Sequence, residues 1–231
     1  MSKIKGIFAA SMSVLNQDLT LNVTKTVEHA EKLIDQGCHG AAIFGSTGQA
    51  QLIPISEKIS LFNQLASSKY NEKFIIGTGL NSLGETINLM KVARSLNFKK
   101  FPKQIIGVKD SSYNLFENLK LDNFSVLPGS ESKLLKGLEL GCSGIITATC
   151  NVSSAMARKV YDDFFNKKEQ TINQKLCDVR NTFEKYNLIS ALHSYYSKKD
   201  SIYKNVLPPL SILSPTDKKE LTNNLEKLNF I

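Results

Sequence analysis

The sequence predicts an α/β fold, a parallel sheet covered by helices and of (β/α) barrel lineage. Three observations carry this. Short runs rich in β-branched residues alternate with helical periodicity through the first 150 or so residues, the pattern of parallel strands joined by crossover helices. Polar and glycine-rich signals stand directly after the strand runs: Ser46-Thr47-Gly48, Thr78-Gly79, Lys109-Asp110 and Gly129-Ser130-Glu131. (β/α) barrels build their sites at those strand ends. A doubly wound nucleotide-binding sheet does so too, but the chain contains neither GxGxxG nor the phosphate-loop pattern GxxxxGKS/T.

The elements follow in order. Gly6 to Met12 reads as a strand. Leu21 to Gln36 places Val23, Val27, Ala30, Leu33 and Ile34 on one helical face and stops at Gly37. Ala41 to Phe44 is a second strand, running into Gly45-Ser46-Thr47-Gly48. Ser56 is placed to cap a helix through about Lys69. Phe74 to Gly79 is a third strand. Ser82 opens a helix to Leu96, with Glu85 at capping-box spacing. After the junction Asn97–Gln104 the alternation resumes. Ile105 to Val108 reads as a strand and Tyr113 to Leu121 as a helix. Phe124 to Leu127 is a strand, Gly129 to Leu140 a helical segment, and Gly144 to Thr149 a strand. From Ser153 to Ile231 the chain reads as almost entirely helical, punctuated by Pro208-Pro209 and Pro215. The expected division is a barrel part, residues 1–152, and a C-terminal helical part packed on it, residues 153–231.

The 231 residues suffice for one large domain, and 42% hydrophobic with 22% charged is an ordinary globular balance. No apolar run reaches membrane-spanning length. Met1-Ser2-Lys3-Ile4-Lys5 leads into a strand without a signal-peptide core, so a cytoplasmic location and no membrane partner are expected. Cys38, Cys142, Cys150 and Cys177 are scattered and expected to be reduced. The net charge of +8 comes from lysines dispersed beside acidic residues, without an aromatic-basic ribbon, so no nucleic-acid partner is expected.

Lys109 ends an apolar run, Ile105-Ile106-Gly107-Val108, and a polar turn follows. Burying an ammonium is costly, and the burial that penalises the charge makes the amine nucleophilic. The plainer alternative is a lysine snorkelling off a strand end. Ser46-Thr47 likewise reads either as a binding pair or as a helix cap. Gly77-Thr78-Gly79 reads as a tight turn without chemistry. His29, His39 and His193 are expected to be neither ligands nor bases.

Taken together, the motifs resemble a known family. Gly45-Ser46-Thr47-Gly48-Gln49 resembles the GTTGE motif of the dihydrodipicolinate synthase and N-acetylneuraminate lyase family. Ile106-Gly107-Val108-Lys109-Asp110-Ser111-Ser112 resembles its Schiff-base motif, and the Gly129-Ser130 turn, Gly144-Ile145-Ile146-Thr147 and Asn151 fall in family order. The resemblance implies a class I aldolase or lyase acting on pyruvate or a 2-keto acid. Lys109 would form the imine, and Ser46 and Thr47 would bind the pyruvoyl carboxylate. Gly129 and the Ile146 carbonyl would line the same mouth. It implies no cofactor and no metal. Ser46 replaces the family's first threonine and Gln49 its glutamate.

The family barrel has eight strands, whereas this sequence supplies six. At roughly 30 residues per unit, about 60 residues are absent at the junction between Phe98 and Gln104. The resemblance places there the general-acid tyrosine, a partner-donated tyrosine and the residues that select the second substrate. Tyr195 and Tyr196 lie in the C-terminal helices and do not stand in for the tyrosines. The barrel then closes smaller, stays open with exposed strand edges, is filled by partner chains, or lacks a stretch that the natural polypeptide carries. The alternative function is a non-catalytic keto-acid-binding or interaction protein descended from the enzyme. Exposed edges and apolar faces beside the junction predict a homo-oligomer or an aggregation-prone species.

Overall fold

A computed structural model describes residues 4–96, 98 and 105–231. The element order is β1 (Gly6–Ala10), α1 (Val23–Asp35), β2 (Gly40–Ile43), α2 (Ile55–Ala66), β3 (Phe74–Ile76), α3 (Leu83–Ser95), β4 (Gly107–Asp110), β5 (Ser125–Pro128), α4 (Leu134–Glu139) and β6 (Gly144–Thr147). Four further helices follow, interrupted by loops: α5 (Cys150–Phe165), α6 (Asn173–Glu184), α7 (Leu188–Tyr196) and α8 (Pro215–Lys227).

Local chemistry sets most boundaries. Asn22 caps α1 by accepting the Lys25 amide at 2.9 Å. Ser82 caps α3 by accepting the Glu85 amide, as its spacing predicts. Three expectations need correction. Ser56 does not cap α2, which starts a residue earlier behind Pro54. Tyr113 to Leu121 is a series of bends and turns. There the Asp110 carboxylate takes the amides of Ser112, Tyr113, Leu115 and Phe116, so the backbone wraps around the carboxylate in place of a helical ladder. In the C-terminal part, the stretch from Asn205 to Leu213 is irregular.

All strand pairings are parallel. β1 pairs with β2 on one side and β6 on the other, β2 pairs with β3, and β4 pairs with β5. The Ser143 amide donates to Val126 O at 3.0 Å and ties the start of β6 to β5. The spatial order is therefore β3-β2-β1-β6-β5-β4, a barrel wall that keeps the seam between first and last strands. Among the described residues nothing pairs β3 with β4, so the wall is open on that side. The junction predicted at Asn97–Gln104 lies outside the described residues apart from Phe98, whose ring packs 6.0 Å from that of Phe62.

Side chains alternate across β1. Ile7 and Ala9 face the helices, packing with Leu33, Ile145, Ala157 and Val160. Phe8 faces the other way, over Gly40, where a Cβ would lie 2.8 Å from the Phe8 ring and 2.2 Å from Lys73 O. Separate clusters bury α1, α2 and α3 on β2 and β3, and α6, α7 and α8 on one another. Apolar side chains remain uncovered on α3 and beside β4: Leu83 is 75% exposed and Ile105 82%, with Ile87 and Met90 also exposed.

The strand ends of the seam are held by one buried amide. Asn151 Nδ2 donates to Ala10 O at 2.8 Å and Ala148 O at 2.7 Å, and its Oδ1 accepts from the Met12 amide and from His29 Nε2 at 2.8 Å. Because Oδ1 can only accept, His29 carries its proton on Nε2, and its Nδ1 accepts from Tyr203 Oη at 2.9 Å. Burial pushes the His29 pKa down from 6.5 to about 4, ahead of the opposing Asn151 bond. Burial lowers that of His193 as well. The unfolded chain therefore binds protons that the fold refuses. The stabilising contribution is whole above pH 6.5 and is lost as pH falls toward 4. For His29 alone the loss at pH 5 is about 2 kcal/mol. Denaturant titrations at pH 7 and pH 5 should show it, and His29→Gln should flatten the difference.

Candidate active site

Lys109 is the third residue of β4, beside Leu127 of β5 in register. Its stem lies near the turn after β5: a Cβ at Gly129 would sit 3.1 Å from Ser111 Oγ, a tight approach, and 3.5 Å from Lys109 Cε, an ordinary contact. Lys109 is exposed by area, because the strand that would flank β4 is missing. Atoms packed around the stem still strip part of the amine's hydration. That desolvation, followed by the charge of Arg180, holds its pKa below the ordinary lysine value.

The next residue anchors the turn. Asp110 is 2% exposed and accepts from four backbone amides and from Ser112 Oγ at 2.9 Å. Burial alone would raise its pKa, but the bonds from Phe116, Ser112, Leu115 and Tyr113 outweigh it and hold the carboxylate ionised below its usual range. Tyr113 adopts φ 60°, a left-handed conformation unusual for a bulky residue.

Ser46 and Thr47 open a short 3₁₀ turn, Ser46–Gly48, directly after β2. As the first amides of the turn, their N–H groups have no carbonyl within it to bond. Ser46 is exposed and Thr47 buried. Both line a cleft of about 380 Å³ whose other walls are Ala148, Glu184, Tyr186, Asn187, Leu188 and Ile189. That is room for a small metabolite. Ile146 sits in β6, in register with Phe8 of β1, and is partly exposed. Thus the five residues singled out from sequence stand in or just after β2, β4, β5 and β6. Lys109, Gly129 and Ile146 do not line the cleft that Ser46 and Thr47 share.

Two features were not legible in the sequence. Gln49, at φ 49°, donates from Nε2 to Leu207 O at 3.0 Å and accepts the Leu207 amide on Oε1 at 3.1 Å. Only an amide can do both; a glutamate would face the carbonyl without a proton. Behind the strand ends, Glu131 and Arg180 form a buried pair at 3.6 Å. Arg180 bridges Thr147, Thr149 and, at 2.7 Å, Glu184 of the cleft wall. The only sequence signal was Glu131 in the post-strand turn; nothing marked Arg180.

The dihydrodipicolinate synthetase family model matches residues 3–101 and 97–228. The chain belongs to this family. The match breaks into two pieces at the junction where the sequence predicts the missing units. A 2-dehydro-3-deoxy-D-gluconate/2-dehydro-3-deoxy-phosphogluconate aldolase of Picrophilus torridus is 33% identical over 122 residues, covering 49% of this chain. There the chain spans about half the length of its relative, 46%. A 4-hydroxy-tetrahydrodipicolinate synthase of Listeria innocua is 24% identical over 239 positions, covering 76% of this chain and 82% of the relative. Since 76% of 231 residues is about 176, about 60 of those positions have no counterpart here. A prophage protein of the family from E. coli, solved in complex with pyruvate, superposes with a TM-score of 0.81 at 17% identity, spanning 100% of both chains. The fold is therefore the family's barrel lacking about two central β/α units. No helix among the described residues is long and apolar enough to cross a membrane.

The Gln49 contact yields a test. Gln49→Glu should destabilise the fold by about 1–3 kcal/mol, because a buried carbonyl loses its donor and meets a carboxylate. Urea midpoints of the two proteins at pH 7 would measure it; an unchanged midpoint would show that Leu207 finds another partner.

Proposed function

We propose that the chain is a Schiff-base-forming lyase or aldolase acting on pyruvate or a related 2-keto acid. The observation that carries this is the partly desolvated amine of Lys109 at a strand end, within the family's KDSS motif. Lys109 Nζ attacks the keto carbon, water leaves, and an imine forms. The protonated imine draws electrons from C3, so a carbon–carbon bond there can break or form near neutral pH. Ser46 and Thr47 bind the carboxylate through hydroxyls and amides, and Gly129 and the Ile146 carbonyl line the mouth. The pyruvate bound in the family relative from E. coli supports the substrate class. We place the protein in the cytoplasm, as a homo-oligomer.

Proton transfer is where the site is short. Without the tyrosines of the missing segment, turnover should lag an intact relative by about 10²–10⁴-fold, or about 3–5 kcal/mol. The missing segment also favours a second reading, a keto-acid-binding protein without turnover. Pyruvate with borohydride should add one carboxyethyl group to the protein by mass, and Lys109→Ala should abolish the adduct. An adduct that survives Lys109→Ala would remove the lysine from the mechanism. Calorimetry with pyruvate beside an aldol-cleavage assay separates the two readings: heat without turnover selects the binder.

The uncovered apolar residues on α3 and beside β4 carry the oligomer reading. Light scattering over a dilution series should give a mass above that of the 25.6 kDa chain. A sharp monomer at micromolar concentration, with cooperative unfolding, would refute it.

A further inference from the structure

Ser46 and Thr47 share one cleft of about 380 Å³ with the end of α6 and the start of α7. The two sides bring different chemistry. Thr47 is 5% exposed, yet its hydroxyl makes no hydrogen bond among the described residues, and neither does that of Ser46. A hydroxyl on a buried residue is normally bonded, so an unbonded one that lines a cleft points to a ligand. With the first amides of the 3₁₀ turn, these hydroxyls make a set of neutral donors suited to a single carboxylate.

The α6–α7 side carries an acceptor and a donor. Arg180 Nη2 donates to Glu184 Oε1 at 2.7 Å and fixes that carboxylate. Its Oε2 has no hydrogen-bond partner among the described residues, and the side chain stays 44% exposed. Asn187 spends its Oδ1 on capping α7, accepting the amides of Ile189 and Ser190, both at 3.1 Å. Its Nδ2 is unengaged among the described residues. A carboxylate oxygen and a carboxamide on one wall are the acceptor and donor that hydroxyl groups satisfy, since each hydroxyl both donates and accepts. Leu188 and Ile189 give the same wall an apolar surface for a carbon chain.

Charge narrows the ligand further. Among the described residues no lysine or arginine lines the cleft. Arg180 is shared with the buried Glu131 at 3.6 Å, so one guanidinium serves two carboxylates. A phosphate beside Glu184 would meet a negative charge that is only partly offset, whereas a hydroxyl would donate to it.

We propose that the cleft takes a small polyhydroxylated carboxylic acid: Ser46 and Thr47 hold its carboxylate, and Glu184 and Asn187 hold hydroxyls further along the chain. These two residues would then select the ligand against unhydroxylated and against phosphorylated acids. The proposal rests on Ser46 and Thr47 taking the carboxylate, as in the function proposed above. It does not need the imine, and Lys109 does not line this cleft. The probe is therefore D-gluconate, a hydroxylated acid without a keto group.

Ligand-observed NMR titrations would compare D-gluconate with hexanoate, which lacks the hydroxyls, and with 6-phosphogluconate. Gluconate should bind about tenfold more tightly than either. A chain of net charge +8 that held acids by charge alone would bind the phosphorylated acid best. Glu184→Ala should weaken gluconate about tenfold, leave hexanoate unchanged and strengthen 6-phosphogluconate. Asn187→Ser keeps a capping oxygen for α7 and should weaken gluconate alone. Thr47→Val should weaken all three acids. No measurable gluconate binding, equal affinities for gluconate and hexanoate, or a Glu184→Ala protein that binds gluconate unchanged would overturn the proposal. Borohydride trapping with pyruvate is read separately. Failed trapping beside selective gluconate binding removes the lyase reading and leaves the site standing; trapping without that selectivity does the reverse.

Discussion

Everything in this molecule depends on the seam between β1 and β6. In a closed barrel each strand is held on both sides. Among the described residues the wall is open between β3 and β4, so the strands of the halves β1-β2-β3 and β6-β5-β4 pair only where the first strand meets the last. Four register pairs, Gly6 with Gly144 through Ala9 with Thr147, make that contact. Asn151 locks its upper end by satisfying both of its donors and its acceptor oxygen with groups from β1, α1 and the turn after β6. A buried amide so fully bonded specifies one geometry, because every alternative leaves a polar group unpaired.

The missing staves act on the site through solvent. In a complete wall a lysine at the end of β4 would be flanked by the next strand; here its side is open. Lys109 is thus exposed while its stem remains near the turn at Gly129. Desolvation by the atoms around the stem remains the main force lowering its pKa, ahead of the charge of Arg180. Leu83, Ile87 and Met90 of α3 are likewise left exposed among the described residues.

Polar clamps compensate at the strand ends. Gln49 binds the irregular stretch at Leu207 and so ties the Ser46–Thr47 turn to the C-terminal part. Asp110 gathers four amides and converts the segment after Lys109 from a helix into a loop wrapped on one carboxylate. Arg180 joins the end of β6 to the cleft wall through Glu184. Each clamp fixes backbone at a strand end by a charge or an amide.

The sequence by itself determined the six strands, most of the helices, the α/β class, the family, the junction at which two units are lost, and the strand-end placement of Ser46, Thr47, Lys109, Gly129 and Ile146. These are local properties: periodicity reports which face is buried, and turn residues report where the chain bends. Tertiary structure alone decided the rest. Asn151 draws its partners from residues 10, 12, 29 and 148, Gln49 reaches Leu207, and Arg180 meets Glu131 across two elements. The same holds for Asp110, whose neighbours read as helix-forming until its carboxylate is seen to compete for their amides. A buried polar group takes whichever partners folding brings within hydrogen-bond reach, and no spacing along the chain encodes that distance.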